Sequence, residues 1–222
     1  KDVDGNEIYN ADMSQEERFA AAKTAALGYL AAAGYKVENG KVLSAPEGAS
    51  MSYTWTVAGD GGDNHRDILL ITNAINAFSD TGFSLAIDNT NGSIWSQKIS
   101  GAQFDIISAG WSSTIDPDIY QIYSGPNAVG YGGGDSNHYQ IRDTQLDELM
   151  LETRKSPDNA YRKQLFKQCF DIILDWAVEV PTVQRQNAII FSSERIDTES
   201  LPKDITTFFG WAAEIQNLKM KA

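Results

Sequence analysis

Between residues 52 and 107 the chain alternates strand and helix patterns, and few folds accommodate that alternation. Ser52 to Ala58, rich in Tyr, Thr, Trp and Val, reads as a strand. A helix follows, with Asp63 as its expected N-cap and Ile68, Leu69, Ile71, Ile75 and Phe78 at helical spacing. After the Thr81-Gly82 break, Phe83 to Ile87 alternates as a strand does. Ile94 to Ile99 then reads as a short helix ended by Gly101, and Phe104 to Ile107 as a buried strand. Strands joined by helices of this length pair in parallel, so the expected fold class is α/β, a layered mixed sheet, mostly parallel, flanked by helices.

The flanking segments carry their own signals. Ser14 and Glu17 form a capping box, and Phe19, Ala22, Ala26, Leu30 and Ala33 recur at helical spacing until Gly34, which predicts a helix over 14–33. Tyr35 to Val42 reads as a hairpin turning at Asn39-Gly40. Residues 108–143 hold no period and are dense in Gly, Pro, Asn, Tyr and Asp; a loop of that length is expected to serve function. Asp143 or Thr144 opens a further helix, and Ser156-Pro157 is expected to open another, with Tyr161, Leu165, Cys169, Ile172, Ile173 and Trp176 on one face. Val178 to Gln184 and Ala188 to Phe191 read as strands, and Trp211 to Leu218 is of mixed character.

Composition narrows the classes. Of 222 residues, 42% are hydrophobic and 22% charged, the balance of a chain that buries a core. A net charge of -12 repels phosphate backbones, so no nucleic-acid partner is expected. No apolar run reaches the roughly 18 residues that a membrane span needs. Cys169 stands alone and reads as a small buried hydrophobe. The sequence begins at Lys1 without a signal-peptide pattern, so any targeting segment is expected to have been removed or to lie outside it, in a longer natural protein.

Motifs for catalysis are scarce. The nucleophile elbow G-x-S-x-G, the zinc motifs H-E-x-x-H and C-x-x-C, and the phosphate-loop G-K-[ST] are missing, so no catalytic residue, metal or cofactor is expected. Gly132 to Gly134 lacks the lysine of a phosphate cradle and reads as a mobile turn. Asp2, Asp4 and Asn6 resemble the start of a calcium loop without its glycine placement or late glutamate, and read as a solvated terminus. His65 and His138 lie in polar loops and read as surface residues.

The stretch Gly101-Ala102-Gln103-Phe104-Asp105 to Gly110-Trp111, followed by Asp116-Pro117-Asp118, resembles the family 5 extracellular solute-binding proteins of peptide and nickel ABC transporters. Those proteins carry a Gly…Phe-Asp strand running into Gly-Trp and then an acidic Asp-Pro turn. The likeness continues through Asn137, Tyr139 and Leu146 to Leu149, through Tyr161-Arg162 to Phe166, and through Glu179-Val180-Pro181. Upstream, Ala20 to Tyr35 is similar to a family helix, with Gly28 and Tyr29 replacing part of its leucine pattern.

The resemblance implies a periplasmic-binding-protein-like (type II) C-terminal lobe over 1–186 and a terminal segment over 187–222 returning towards the hinge and first lobe. It implies a fragment lacking the N-terminal lobe, which binds solute poorly alone and exposes an apolar face prone to self-association. The implied function is capture of a solute, an oligopeptide ahead of a nickel complex or an oligosaccharide, and its delivery to a membrane permease. The implied location is extracytoplasmic, with membrane association only through an absent N-terminal anchor. An α/β hydrolase and a protein-interaction module are the rival readings. The implied ligand-binding residues are Trp95, Gly110, Trp111, Ser112, Thr114 and Asp116. Gly110 to Ser112 would offer main-chain groups to an extended peptide, and Trp95 is either pocket or core. Thr114 stands where peptide-binding members commonly carry an ammonium-binding Asp. Asp116 either replaces that charge or caps the turn before Pro117.

Overall fold

The computed structural model describes residues 1–62, 65–111, 116–184, 188–203 and 210–221. They fall into two compact units, Lys1–Ala109 and Gly110–Ala222. The expected division at 186/187 falls within the second.

In the first unit, the Ser14 hydroxyl accepts from the Glu17 N–H while the Glu17 carboxylate accepts from the Ser14 N–H, and this reciprocal cap opens α1 (Gln15–Ala32). α1 is rich in Ala and buries only Ala25; Phe19 and Tyr29 stay about half exposed. The Tyr29 hydroxyl donates to the Asp2 carbonyl at 2.9 Å and holds the N-terminal arm on the helix. The hairpin forms as expected, β1 (Lys36–Glu38) and β2 (Lys41–Ser44), with Asn39 and Gly40 both at positive φ, the turn that matches strand twist.

β3 (Ser52–Ala58) is the centre of a three-stranded parallel sheet, between β4 (Ser84–Thr90) and the two-residue β5 (Ile106–Ile107). The connections are α2 (Arg66–Phe78), packed on β3 and β4, and α3 (Gly92–Ser100), packed on β3. Val57 and Ile71 are fully buried, as is Thr56, whose hydroxyl donates to Asp88. Leu69, expected on the buried face of α2, is 69% exposed. The N-cap of α2 is His65, whose Nδ1 accepts from the Asp67 N–H; the expected cap, Asp63, lies outside the described residues. Gly82 sits at φ +82, and a Cβ there would come within 2.4 Å of the Val42 carbonyl, so the hairpin approaches the α2–β4 turn through a space only glycine leaves.

The second unit has no named strand among its described residues. After the short α4 (Tyr120–Tyr123) and a 3-10 turn at Gly125–Asn127, it is built on α5 (Thr144–Thr153) and α6 (Asn159–Trp176). Asp143 caps α5 as expected. α6 starts two residues later than Ser156-Pro157 suggests, because the Asp158 carboxylate accepts from both the Ala160 and Tyr161 N–H groups and is the stronger cap. Tyr123, Ile141, Leu146, Met150, Cys169 and Ile173 form the core. Tyr161 and Trp176, expected on that inner face, are 40% and 44% exposed. Burial raises the Cys169 thiol to about 11, which makes it inert at neutral pH.

Val178 to Gln184 and Ala188 to Phe191 do not form strands. Their β-branched residues suit a ladder, but a strand exists only with a hydrogen-bonding partner, and the described residues provide none. Near the C-terminus an isolated bridge joins Ile196 to Met220, flanked by Asp197 N–H to Lys219 O at 2.9 Å and Lys221 N–H to Arg195 O at 2.8 Å. No described helix is long and apolar enough to cross a membrane.

Candidate functional site

The long loop between Gly110 and Asp143 is organised from within. Asn137, fully buried, donates its amide to the carbonyls of Ser124 (2.9 Å) and Ile141 (2.8 Å), tying the turn after α4 to the segment that enters α5. The Gly132 to Gly134 turn, read as mobile, is bound in: the Gly134 N–H donates to Asn127 Oδ1 at 2.9 Å, and the Gly130 N–H to Asp135 at 3.0 Å. Tyr139, set just after Asn137, stacks on Tyr123 with ring centroids 5.3 Å apart and an interplanar angle of 12°.

Trp111 lies on this frame. Its indole N–H donates to the Tyr139 hydroxyl at 3.3 Å, its ring stacks on His138 at 5.7 Å, and 44% of its surface remains exposed. A half-exposed indole held by both a hydrogen bond and a ring is a rigid apolar platform. Beneath it the Tyr123 hydroxyl donates to Glu179 Oε2 at 2.6 Å. Burial, and then the Glu179 carboxylate, raises Tyr139 to about 12, and burial raises Tyr123 further, so both phenols keep their protons at neutral pH.

The acidic turn is pinned by arginines. Arg162, on α6, donates to Asp116 Oδ1 at 2.9 Å and reaches the Pro117 carbonyl at 3.4 Å. Arg154 donates to Asp118 at 2.6 Å and lies over the Tyr120 ring at 4.4 Å. Asp116 therefore carries a guanidinium partner that sequence spacing did not reveal.

Trp95 belongs to the first unit. Its indole N–H donates to the Ser108 carbonyl at 3.0 Å, while Trp55 donates to the Ser108 hydroxyl at 3.0 Å, so two tryptophans fix the end of β5. A polar groove of about 300 Å³ in this unit is lined by Thr54, Thr56, Lys98, Gln103, Phe104 and Asp105, with Lys98 paired to Asp88 at 2.5 Å. Gly110, Trp111 and Asp116 belong to the second unit. Gly110 is exposed, with open space where a Cβ would stand. Ser112 and Thr114 lie outside the described residues. Tyr139 and Glu179 are marked in the sequence only by the resemblance, His138 reads there as a surface residue, and no local pattern marks Tyr123, whose stacking partner Tyr139 is distant in the chain. Among the described residues no group of three His, Cys, Asp or Glu is arranged to hold a metal.

No protein-family model matches the sequence, and no curated protein matches it. Solved structures do match. NikZ from Campylobacter jejuni, in complex with Ni(L-His), is 17% identical with a TM-score of 0.56, over 70% of this chain and 30% of NikZ. The oligopeptide-binding protein AppA from Bacillus subtilis, in complex with a nonapeptide, is 19% identical with a TM-score of 0.55, over 77% of this chain and 33% of AppA. A periplasmic oligopeptide-binding protein of an ABC transporter from Thermotoga maritima, bound to mannohexaose, is 20% identical with a TM-score of 0.56, over 72% of this chain and 30% of that one. The chain thus spans about a third of the length of each. At such identities the likeness establishes architecture: the chain is a mixed α/β protein with the fold of one part of these periplasmic-binding-protein-like structures.

Proposed function

We propose that the chain is part of the non-catalytic solute-binding component of an ABC importer, acting outside the cytoplasm and delivering its solute to a membrane permease. The observation that carries this reading is the Trp111 platform, a half-exposed indole held by Tyr139 and His138 where the sequence expects a solute contact. The fold likeness supports it by analogy, since the three matched proteins are bound to different solutes on related scaffolds. An oligopeptide is the favoured solute, with main-chain recognition along Gly110 and Ser112 and apolar contact at Trp111. Thr114 contributes at most a neutral hydrogen bond.

Asp116 has a different role in this proposal from an ammonium clamp. Its charge already meets Arg162, so it fastens the turn to α6 and leaves little unbalanced charge for a peptide N-terminus. Peptides with free and with acetylated N-termini are therefore expected to bind within about threefold of each other. A tenfold loss on acetylation, abolished by Asp116→Asn, would restore the clamp.

We also infer that the chain is one lobe of a larger receptor, of which the terminal segment reaches towards the other lobe. The exposed apolar side chains of Val180, Val183 and Ile190, the last 97% exposed, support a missing covering surface. Calorimetry of the chain with a pool of tri- to pentapeptides is expected to give weak heats that vanish in Trp111→Ala. Sub-micromolar binding would contradict the one-lobe reading. Turnover of a p-nitrophenyl ester or of the peptides would move the chain to the hydrolase class. A chain that binds none of these solutes and captures a protein through its apolar face would be an interaction module.

A further inference from the structure

β4 is an outer strand of the three-stranded sheet, and the phase of its ladder fixes which of its backbone groups face outward. In a parallel pair, alternate residues of a strand turn both N–H and C=O to one neighbour. The Ser84 N–H donates to the Met51 carbonyl at 2.8 Å, so Ser84, Ala86, Asp88 and Thr90 bond towards β3 while Leu85, Ile87 and Asn89 turn their backbone groups away from it. The far side of β3 keeps the same phase, since the Ser108 N–H donates to the Thr56 carbonyl at 2.9 Å. Among the described residues no strand pairs with the outer edge of β4, and no hydrogen bond engages the outward N–H and C=O groups of Leu85, Ile87 and Asn89. Such edges are ordinarily blunted by lysine, proline or a bulge. Ser84–Thr90 contains no Lys or Pro, and its register with β3 is unbroken. Its one charge, Asp88, is taken up by Lys98 and Thr56.

We propose that this edge is an interface between two copies of the chain, paired antiparallel about a two-fold axis at Ile87. The strand is self-complementary in that register. With Ile87 opposite its own copy, Leu85 faces Asn89 and Ser84 faces Thr90, and each facing pair of outward residues exchanges two hydrogen bonds. Ala86 then stands opposite Asp88, so no like charges meet, in a chain whose net charge of -12 opposes most other self-contacts. A two-fold axis normal to the sheet keeps each face on its own side, so α2, which packs on β4, comes beside the α2 of the second copy. On that helix Leu69 and Leu70 are 69% and 38% exposed, and the second copy offers them an apolar neighbour. A contact of this kind closes at the dimer. The proposal concerns the first unit and does not depend on the reading of Trp111.

Sedimentation velocity of the whole chain, from about 1 micromolar to about 1 millimolar, is expected to pass from monomer to dimer and stop there. Amide hydrogen exchange at the two ends of that range reads the site. The Leu85, Ile87 and Asn89 N–H groups should exchange readily in the dilute chain and become protected in the concentrated one, while those of Ala86 and Asp88 are protected in both. Ala86 is exposed and has room for either charge. Ala86→Asp sets carboxylates opposite Asp88 twice across the axis and should raise the dimer Kd roughly 2- to 30-fold, whereas Ala86→Lys sets opposite charges there and should not raise it. Should Ala86→Asp unfold the chain, the exchange pattern of the unaltered chain decides alone. A chain that stays monomeric throughout, or that associates beyond the dimer, would overturn the proposal. So would dimers in which the three amides still exchange readily, which would put the contact elsewhere, as at the exposed Val180 and Ile190. Equal weakening by the Asp and Lys variants would overturn the two-fold register and the proposal with it.

Discussion

The two units of this chain are held by different means. The first is organised by backbone pairing: β3 is bonded on both sides, its neighbours run parallel, and helices close over a core centred on Val57 and Ile71. The second has a helix pair and a long loop, and its order depends on side chains bonding to backbone and to one another, as Asn137, Asp143, Arg154 and Arg162 do. Sheet ladders tolerate most surface substitutions because the bonds belong to the main chain. A loop tied by side chains is re-shaped by single substitutions, which suits a surface that evolves for recognition. The candidate solute contact lies in the second kind of structure.

That contrast is open to direct attack. The largest effects are expected from emptying each core: Ile71→Ala in the first unit and Leu146→Ala in the second should each cost about 2–5 kcal/mol. Hydrogen exchange should show lost protection in β3 and β4 for one and in α5 and α6 for the other. Equal loss throughout the chain from either change would contradict separate cores. Next, Asn137→Ala takes the side-chain donor from the buried Ile141 carbonyl and leaves the Ser124 carbonyl with only the Asn127 N–H, and it should cost about 1–3 kcal/mol. Asn89→Ala, which breaks exposed contacts to Gly61 and Gly62 in the first unit, should cost under about 1 kcal/mol in urea unfolding.

Acid titration should separate the units by sign. In the first unit, the hydrogen bond from Lys98, and then that from Thr56, hold Asp88 below the usual aspartate range. Its contribution, about 0.5–1 kcal/mol for a partly exposed pair, is present above the ordinary value of 3.8 and is lost as pH falls through the lowered one. Asp88→Asn should therefore destabilise at pH 7 and progressively less in acid. In the second unit, burial raises Asp147 against the opposing Gly125 N–H. The folded state holds that proton more tightly, so its ionisation costs stability as pH rises. Asp147→Asn should be neutral in acid and stabilising at pH 7, and loss of stability at pH 7 would refute the assignment. The smallest effect is at Ala177, which ends α6 in the left-handed conformation at φ 49 and ψ 35. Ala177→Gly should raise stability by about 0.5–1 kcal/mol in thermal melts.

Much of the first unit was legible because its signals are local. Ser14-x-x-Glu17, Asn39-Gly40 and the alternation in 52–58 each act within a few residues, and the parallel pairing followed from the helices between strands. The errors came from competition among nearby caps, where Asp158 displaced Ser156, and from segments such as 178–184 whose partner is a property of the surroundings. In the second unit, the exposed loop setting of Trp111 was legible, and its role towards a solute is the proposal made above. The support beneath the ring was not legible, because Tyr123, Tyr139 and Glu179 meet only through the packing of α4, α5 and α6. The Asp116–Arg162 pair was hidden for the same reason: opposite charges far apart in sequence carry no register.

The central claim is that the exposed Trp111 platform is where solute is met. It is tested most directly by titrating the ¹⁵N-labelled chain with a tripeptide carrying a central Leu, with mannohexaose and nickel-histidine as comparators, to millimolar concentration. The expected result is saturable shifts confined to Gly110, Trp111, His138 and Tyr139, strongest for the peptide and absent in Trp111→Ala. Shifts that leave those four residues unmoved for every solute, or that persist in Trp111→Ala, would contradict it.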